Sequence, residues 1–114
     1  MANALLTFES QAIDDGVLLT VLGEVNFSSA MVLRQAITEA VAQTPAKLVI
    51  DLAGVPYMDS SGVATMVEAL QRQRKAGGRL ILSGLQAKVM GIFEIARLHT
   101  MFQIVEDTQA ALTR

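Results

Sequence analysis

The chain has 114 residues, a formal net charge of −2 and no cysteine, which suits one compact domain with an ordinary core. Disulfides, thiolate catalysis and cysteine-ligated metals are excluded, and a lone histidine, His99, makes a histidine-rich metal site unexpected. Slight acidity and an aromatic content of 4% argue against nucleic-acid binding, which needs basic patches for phosphate and stacking rings for single strands.

In chain order, Met1-Ala2-Asn3-Ala4-Leu5-Leu6 lacks the basic start and long apolar core of a signal peptide. No apolar block approaches the roughly 18 residues of a membrane span, so a cytoplasmic protein without direct membrane insertion is expected. Leu5 to Ser10 and Val17 to Leu22 read as strands, and Asp14-Asp15-Gly16 between them signals an antiparallel hairpin. Gly23-Glu24-Val25-Asn26 leads onward, with Ser28 or Ser29 as the expected N-cap of a helix. On it Leu33, Ile37, Ala40 and Val41 recur at helical spacing, and Pro45 ends it near Gln43.

Lys47 to Leu52 is a near-continuous apolar run, as in a strand buried on both faces. A turn-like segment, Ala53 to Tyr57, precedes a second helix that starts at Ser60 or Ser61. Its buried stripe is Val63, Met66, Val67 and Leu70, with Glu68, Arg72 and Arg74 outward, and Gly77-Gly78 stops it. Arg79 to Ser83 is a strand. Ala87 to Leu98 is a third helix with Val89, Ile92, Phe93 and Ala96 on one face. Phe102 to Val105 is a short strand, and Asp107 to Leu112 a closing helix. The order β-β-α-β-α-β-α-β-α predicts an α/β domain with right-handed parallel crossovers in a mixed sheet, spanning residues 1–114 without linker or repeat.

Asp59-Ser60-Ser61-Gly62 carries the most chemistry. It places a carboxylate, two hydroxyls and a glycine where a strand hands over to a helix N-terminus, whose amides and dipole favour negative charge. One serine could simply cap the helix. Ser60 could instead accept a phosphate, adding about −1.5 to −2 charges beside Asp59. A hydrolytic nucleophile would need a base in reach and an oxyanion hole; Met58-Asp59-Ser60-Ser61-Gly62 is not a Gly-x-Ser-x-Gly elbow, and His99 reads as a loop residue. No catalytic residue is therefore assigned.

Asn26 either braces a bend or belongs to a loop lying beside Asp59. Gly77-Gly78 follows Arg72-Gln73-Arg74-Lys75, a basic helix end and not a phosphate cradle. Met31, Met58, Met66, Met90 and Met101 read mostly as core filler, with Met90, Phe93 and Met101 as an alternative docking patch. An exposed edge of the N-terminal hairpin offers a route to a homodimer.

Leu22-Gly23-Glu24-Val25-Asn26, Val55-Pro56-Tyr57-Met58-Asp59-Ser60-Ser61-Gly62, Gly77-Gly78, and Phe93 to Leu98 followed by Phe102 resemble the STAS domain family over nearly the whole chain. The family is named for sulphate transporters and anti-sigma-factor antagonists. The resemblance implies a mixed sheet with helices largely on one face, and a non-enzymatic switch with no cofactor. It implies that Ser60 is phosphorylated by a serine kinase that doubles as the anti-sigma factor. The unphosphorylated form would bind that factor and release sigma. Asp59 and Asn26 would shape the loop, Ser61 would cap or support, and Gly62 would allow close approach of a partner.

Two positions depart from the family pattern. Asn26 stands where an aspartate is usual, and Ala64 where a glycine often follows the motif. A second class stays open: a STAS subunit docking onto the ATPase of an ABC-type lipid or organic-solute transport system, which Val63 to Leu70 and Glu94 to Leu98 resemble. A third is a module that senses an anion or nucleotide at the Ser60 helix mouth.

Overall fold

The computed structural model describes residues 6–114. Met1 to Leu5, on which the reading of the N-terminus and the first residue of the first expected strand fall, lie outside the described residues. The hairpin is β1 (Thr7–Ile13) and β2 (Gly16–Leu22), followed by α1 (Phe27–Ala42), β3 (Lys47–Gly54) and α2 (Ser60–Lys75). The chain continues through β4 (Arg79–Ser83), α3 (Ala87–Ile95), β5 (Gln103–Val105) and α4 (Thr108–Leu112). The order matches the sequence reading. The β1 strand runs on to Ile13, beyond Ser10, because a two-residue turn at Asp14-Asp15 lets pairing continue to Ile13↔Gly16.

The five strands lie in the order β1-β2-β3-β4-β5, with β1 antiparallel and the rest parallel. Alternation along the parallel strands divides the core. Val17, Leu19 and Val21 of β2, Leu48, Ile50 and Leu52 of β3, and Leu80 and Leu82 of β4 face α1, α2 and α3. Leu18, Val49, Ile81 and Val105 face the other way, against Ala111 of α4. The central strand β3 is thus apolar on both sides, as its unbroken sequence requires, and the helices lie largely on one face.

Three helices end on left-handed residues: Thr44 after α1, with φ 52°, Gly77 after α2 and Arg97 after α3. Gly77 has φ 90°, and Gly78 N–H donates to Gln73 O at 2.9 Å, a Schellman closure at the expected glycines. Arg97, with φ 58°, does the same for α3: its N–H donates to Glu94 O at 3.0 Å and Leu98 N–H to Phe93 O at 2.8 Å. The third helix therefore stops at Ile95, short of the expected Leu98, and Ala96 is exposed. Val89 and Phe93 still fill the core, with Phe93 edge-on to Phe102 at 5.4 Å between ring centroids. Among the methionines, Met58 and Met66 are buried, whereas Met31 and Met101 are exposed.

Candidate functional site: the helix mouth at Ser60

The parallel strands β2 and β3 end side by side, with Leu22 opposite Gly54 and Gly23 N–H donating to Gly54 O at 3.0 Å. Their loops then stay together. Val25 N–H donates to Tyr57 O at 2.9 Å and Asp59 N–H to Val25 O at 3.0 Å, a short parallel bridge between Val25 and Met58. Both bridge side chains are fully buried. Loop pairing at the carboxyl ends of neighbouring strands thus brings the N-termini of α1 and α2 together, and the Asn26 loop does lie beside the Asp59 loop.

Neither helix is capped by the serines expected to do so. Asn26 is the N-cap of α1: its Oδ1 accepts from Ser28 N–H at 2.9 Å and Ser29 N–H at 3.1 Å, and Ser29 Oγ accepts from Asn26 N–H at 2.9 Å. This is a reciprocal capping box with serine in the third position. Asp59 is the N-cap of α2: its Oδ1 accepts from Ser61 N–H at 2.9 Å and Gly62 N–H at 3.3 Å. Its other oxygen, Oδ2, accepts from Phe27 N–H at 3.1 Å. One carboxylate thereby satisfies amides at two helix starts.

With capping done by Asp59, Ser60 opens α2 as an exposed residue whose hydroxyl is not spent on the cap. Ser61 is half-buried. Gly62 is buried, and a Cβ there would meet Met58 Cγ and come within 2.7 Å of Val25 Cγ1. Its small size seats α2 on the Val25–Met58 bridge; the expectation that it admits a partner's backbone is corrected, because the space it leaves points inward.

Around Ser60 the surface is apolar. An open groove of about 430 Å³ between α2 and α3 is lined by Ser60, Val63, Ala64, Val67, Ile92 and Leu98, among others. A second, of about 230 Å³, lies between α1 and α2 and includes Phe27, Met31, Arg34, Ala64 and Glu68. Ala64, one helical turn after Ser60, borders both. Phe27 is 82% exposed and Met31 76%; sequence reasoning passed over Phe27 and counted Met31 among methionines that mostly fill the core, which its exposure corrects. Their spacing of four residues, out of phase with the buried stripe of Leu33, Ala36, Ile37 and Ala40, was the available signal.

Below this surface Glu68 clasps α1 to α2. Its Oε2 accepts from Arg34 Nη2 at 2.8 Å and from Arg72 Nη2 at 3.1 Å. The Arg34 hydrogen bond first, with Arg72 and the two positive charges adding to it against some desolvation, holds the Glu68 carboxyl below its ordinary range. His99 is exposed in the turn after α3. No trio of His, Cys, Asp or Glu suited to a metal occurs among the described residues, and no described helix is long and apolar enough to cross a membrane.

The class defined by this arrangement is an α/β domain that presents a serine hydroxyl at a helix mouth, inside an apolar surface. Comparison with known proteins narrows it. The model of the STAS domain matches residues 7–111, and the chain belongs to that family. It is 32% identical over 99 residues to the anti-sigma-B factor antagonist of Bacillus subtilis, covering 87% of this chain and 90% of that one. It is 31% identical over 90 residues to the anti-sigma-B factor antagonist of Listeria monocytogenes, covering 79% of each. Among solved structures, an anti-sigma factor antagonist from Mycobacterium paratuberculosis superposes with a TM-score of 0.87 at 26% identity, over 95% of this chain and 92% of that one.

Proposed function

We propose that this protein is an anti-sigma-factor antagonist, a binding protein without catalysis of its own, switched by phosphorylation of Ser60. Its unphosphorylated form binds an anti-sigma factor that is also a serine kinase. The observation that carries the reading is the exposed Ser60 hydroxyl, free of the cap and lining an apolar groove with Val63, Ala64 and Ile92, which adjoins the groove of Phe27 and Met31 at Ala64. The names borne by the relatives above support the partner class.

A phosphate on Ser60 acts here in two ways. It places a strongly hydrated charge in the middle of an apolar docking surface, where desolvating it on binding is costly. It also stands beside the Asp59 carboxylate, whose two oxygens already hold amides of both helices. Repulsion between the anions works against that tie, while the N-terminal amides of α2 attract the phosphate. The docking surface therefore changes in charge and in shape together.

The test is calorimetry of the partner captured from native cells, with Ser60→Ala and Ser60→Asp. The alanine variant keeps affinity and the aspartate variant loses it. Equal affinity of both would sink the switch. Capture of an ABC-transporter ATPase with no kinase-type anti-sigma factor would overturn the partner.

A further inference from the structure

The β1 strand forms one edge of the sheet and lacks most of the features that usually protect an edge, Glu9 being its one charge. Thr7–Ile13 contains no proline, no lysine and no bulge, and its register with β2 is unbroken from Thr7↔Leu22 to Ile13↔Gly16. Every residue is exposed except the half-buried Ile13, so both faces leave room for a neighbouring strand. The opposite edge, β5, is only 3 residues long.

The hairpin fixes which backbone groups point outward. Ile13 and Gly16 flank the turn and, as its closing pair, exchange hydrogen bonds with each other. Alternation then turns the N–H and C=O groups of Ile13, Gln11, Glu9 and Thr7 toward β2, and those of Ala12, Ser10 and Phe8 away from it. The outward groups are symmetric about Ser10.

We propose that β1 pairs with β1 of a second copy of this chain, antiparallel about a two-fold axis at Ser10, to form a homodimer with one continuous sheet. In this register Ser10 faces Ser10, Phe8 faces Ala12, Glu9 faces Gln11 and Thr7 faces Ile13. The whole strand overlaps, and all three outward-pointing positions meet outward-pointing positions. Centring the axis on Glu9 would set the strand's sole charge directly against itself. Centring it on Gln11 would put Phe8 against Asp14 in the turn. A shift by one residue would oppose outward groups to inward ones. Phe8 gains an apolar neighbour, Ala12 of the second copy, on the face it shares with Val21.

A single strand buries far less than the roughly 800 Å² per partner of a stable interface, so the dimer is weak and depends on concentration. Its contacts lie along the sheet edge and do not use Ser60, so the proposal stands apart from the switch.

Sedimentation equilibrium up to about 1 mM protein tests it, using wild type, Ser10→Lys, Ser10→Glu and an equimolar mixture of the two variants. Ser10 is exposed and its backbone groups point away from β2, so both substitutions leave the hairpin bonds intact. Wild type shifts to dimer as concentration rises. Each variant alone stays monomeric, because like charges meet across the axis, and the mixture regains the dimer. In wild type, exchange protection at the Phe8, Ser10 and Ala12 amides rises with concentration, whereas Glu9 and Gln11 are protected throughout. A wild type that remains monomeric across the range, or a lysine variant that dimerises like wild type, overturns the proposal.

Discussion

Asp59 and Phe27, 32 positions apart in the chain, are joined by a hydrogen bond of 3.1 Å from the Phe27 amide to the Asp59 carboxylate. The other carboxylate oxygen caps α2. Phe27 is also the most exposed residue of the apolar surface near α1. The residue next to Ser60 therefore ties together the starts of the two helices that carry the proposed docking surface. In the proposed switch, a phosphate on Ser60 stands beside that tie.

Replacing Asp59 separates its two tasks. Asp59→Asn keeps an oxygen for the Ser61 and Gly62 amides but turns an amide donor toward Phe27 N–H. Asp59→Ala loses both the cap and the tie, for about 2–3 kcal/mol in total, with the asparagine variant between alanine and wild type. Urea unfolding gives the ranking; an asparagine variant with the wild-type midpoint would show that the tie to Phe27 contributes nothing.

Phe27→Ser and Met31→Ser do the reverse. Both side chains are largely exposed, so the unfolding midpoint moves by no more than about 0.5 kcal/mol. Partner affinity falls at least about tenfold for Phe27→Ser, as when an aromatic anchor is lost from an interface. Calorimetric affinities unchanged from wild type would remove α1 from the docking surface.

The order of elements was legible because each segment has its own period: apolar runs for β2 to β4, helical stripes for α1 to α3. The position of Ser60 at a helix start was legible too. The Asp59–Phe27 bond was not, because nothing local in the sequence measures how two loops meet across a sheet. The true caps were obscured by competition, since Asn26, Ser28 and Ser29, or Asp59, Ser60 and Ser61, are all good cap residues in succession. Only the backbone decides which of them lies one step outside the helix. The end of α3 depended on Arg97 adopting a conformation that arginine rarely takes. Gln73, a polar residue buried in α2, was unforeseen because its partners, the Pro45 and Arg79 carbonyls at 2.8 and 3.2 Å, come from the ends of other elements.

Gly62→Ala sets helix propensity against packing. Alanine favours a helix over glycine by about 0.5–1 kcal/mol, yet its methyl would press on Met58 and Val25. Overpacking costs about 1–3 kcal/mol, so the variant is less stable overall and shifts the α1–α2 mouth. A raised melting temperature would mean that the bridge yields freely.

Glu68 supplies a pH-dependent term whose sign follows from its lowered folded-state pKa. The carboxylate is favoured by folding, so its stabilisation is fully present above the unfolded value of 4.5 and fades as pH falls through the lower folded value. The side chain is 30% exposed and its arginine partners more so; screening therefore limits the clasp to about 1 kcal/mol or less at neutral pH. Glu68→Gln is less stable than wild type by that amount at pH 7. The gap closes as pH falls from 4.5 through the lower folded value and narrows at high salt, because the attraction to Arg34 and Arg72 is screened. Denaturant titrations of both proteins across this range check the sign: a gap that widens on acidification would mean that the glutamate is not stabilised as an anion by the two arginines.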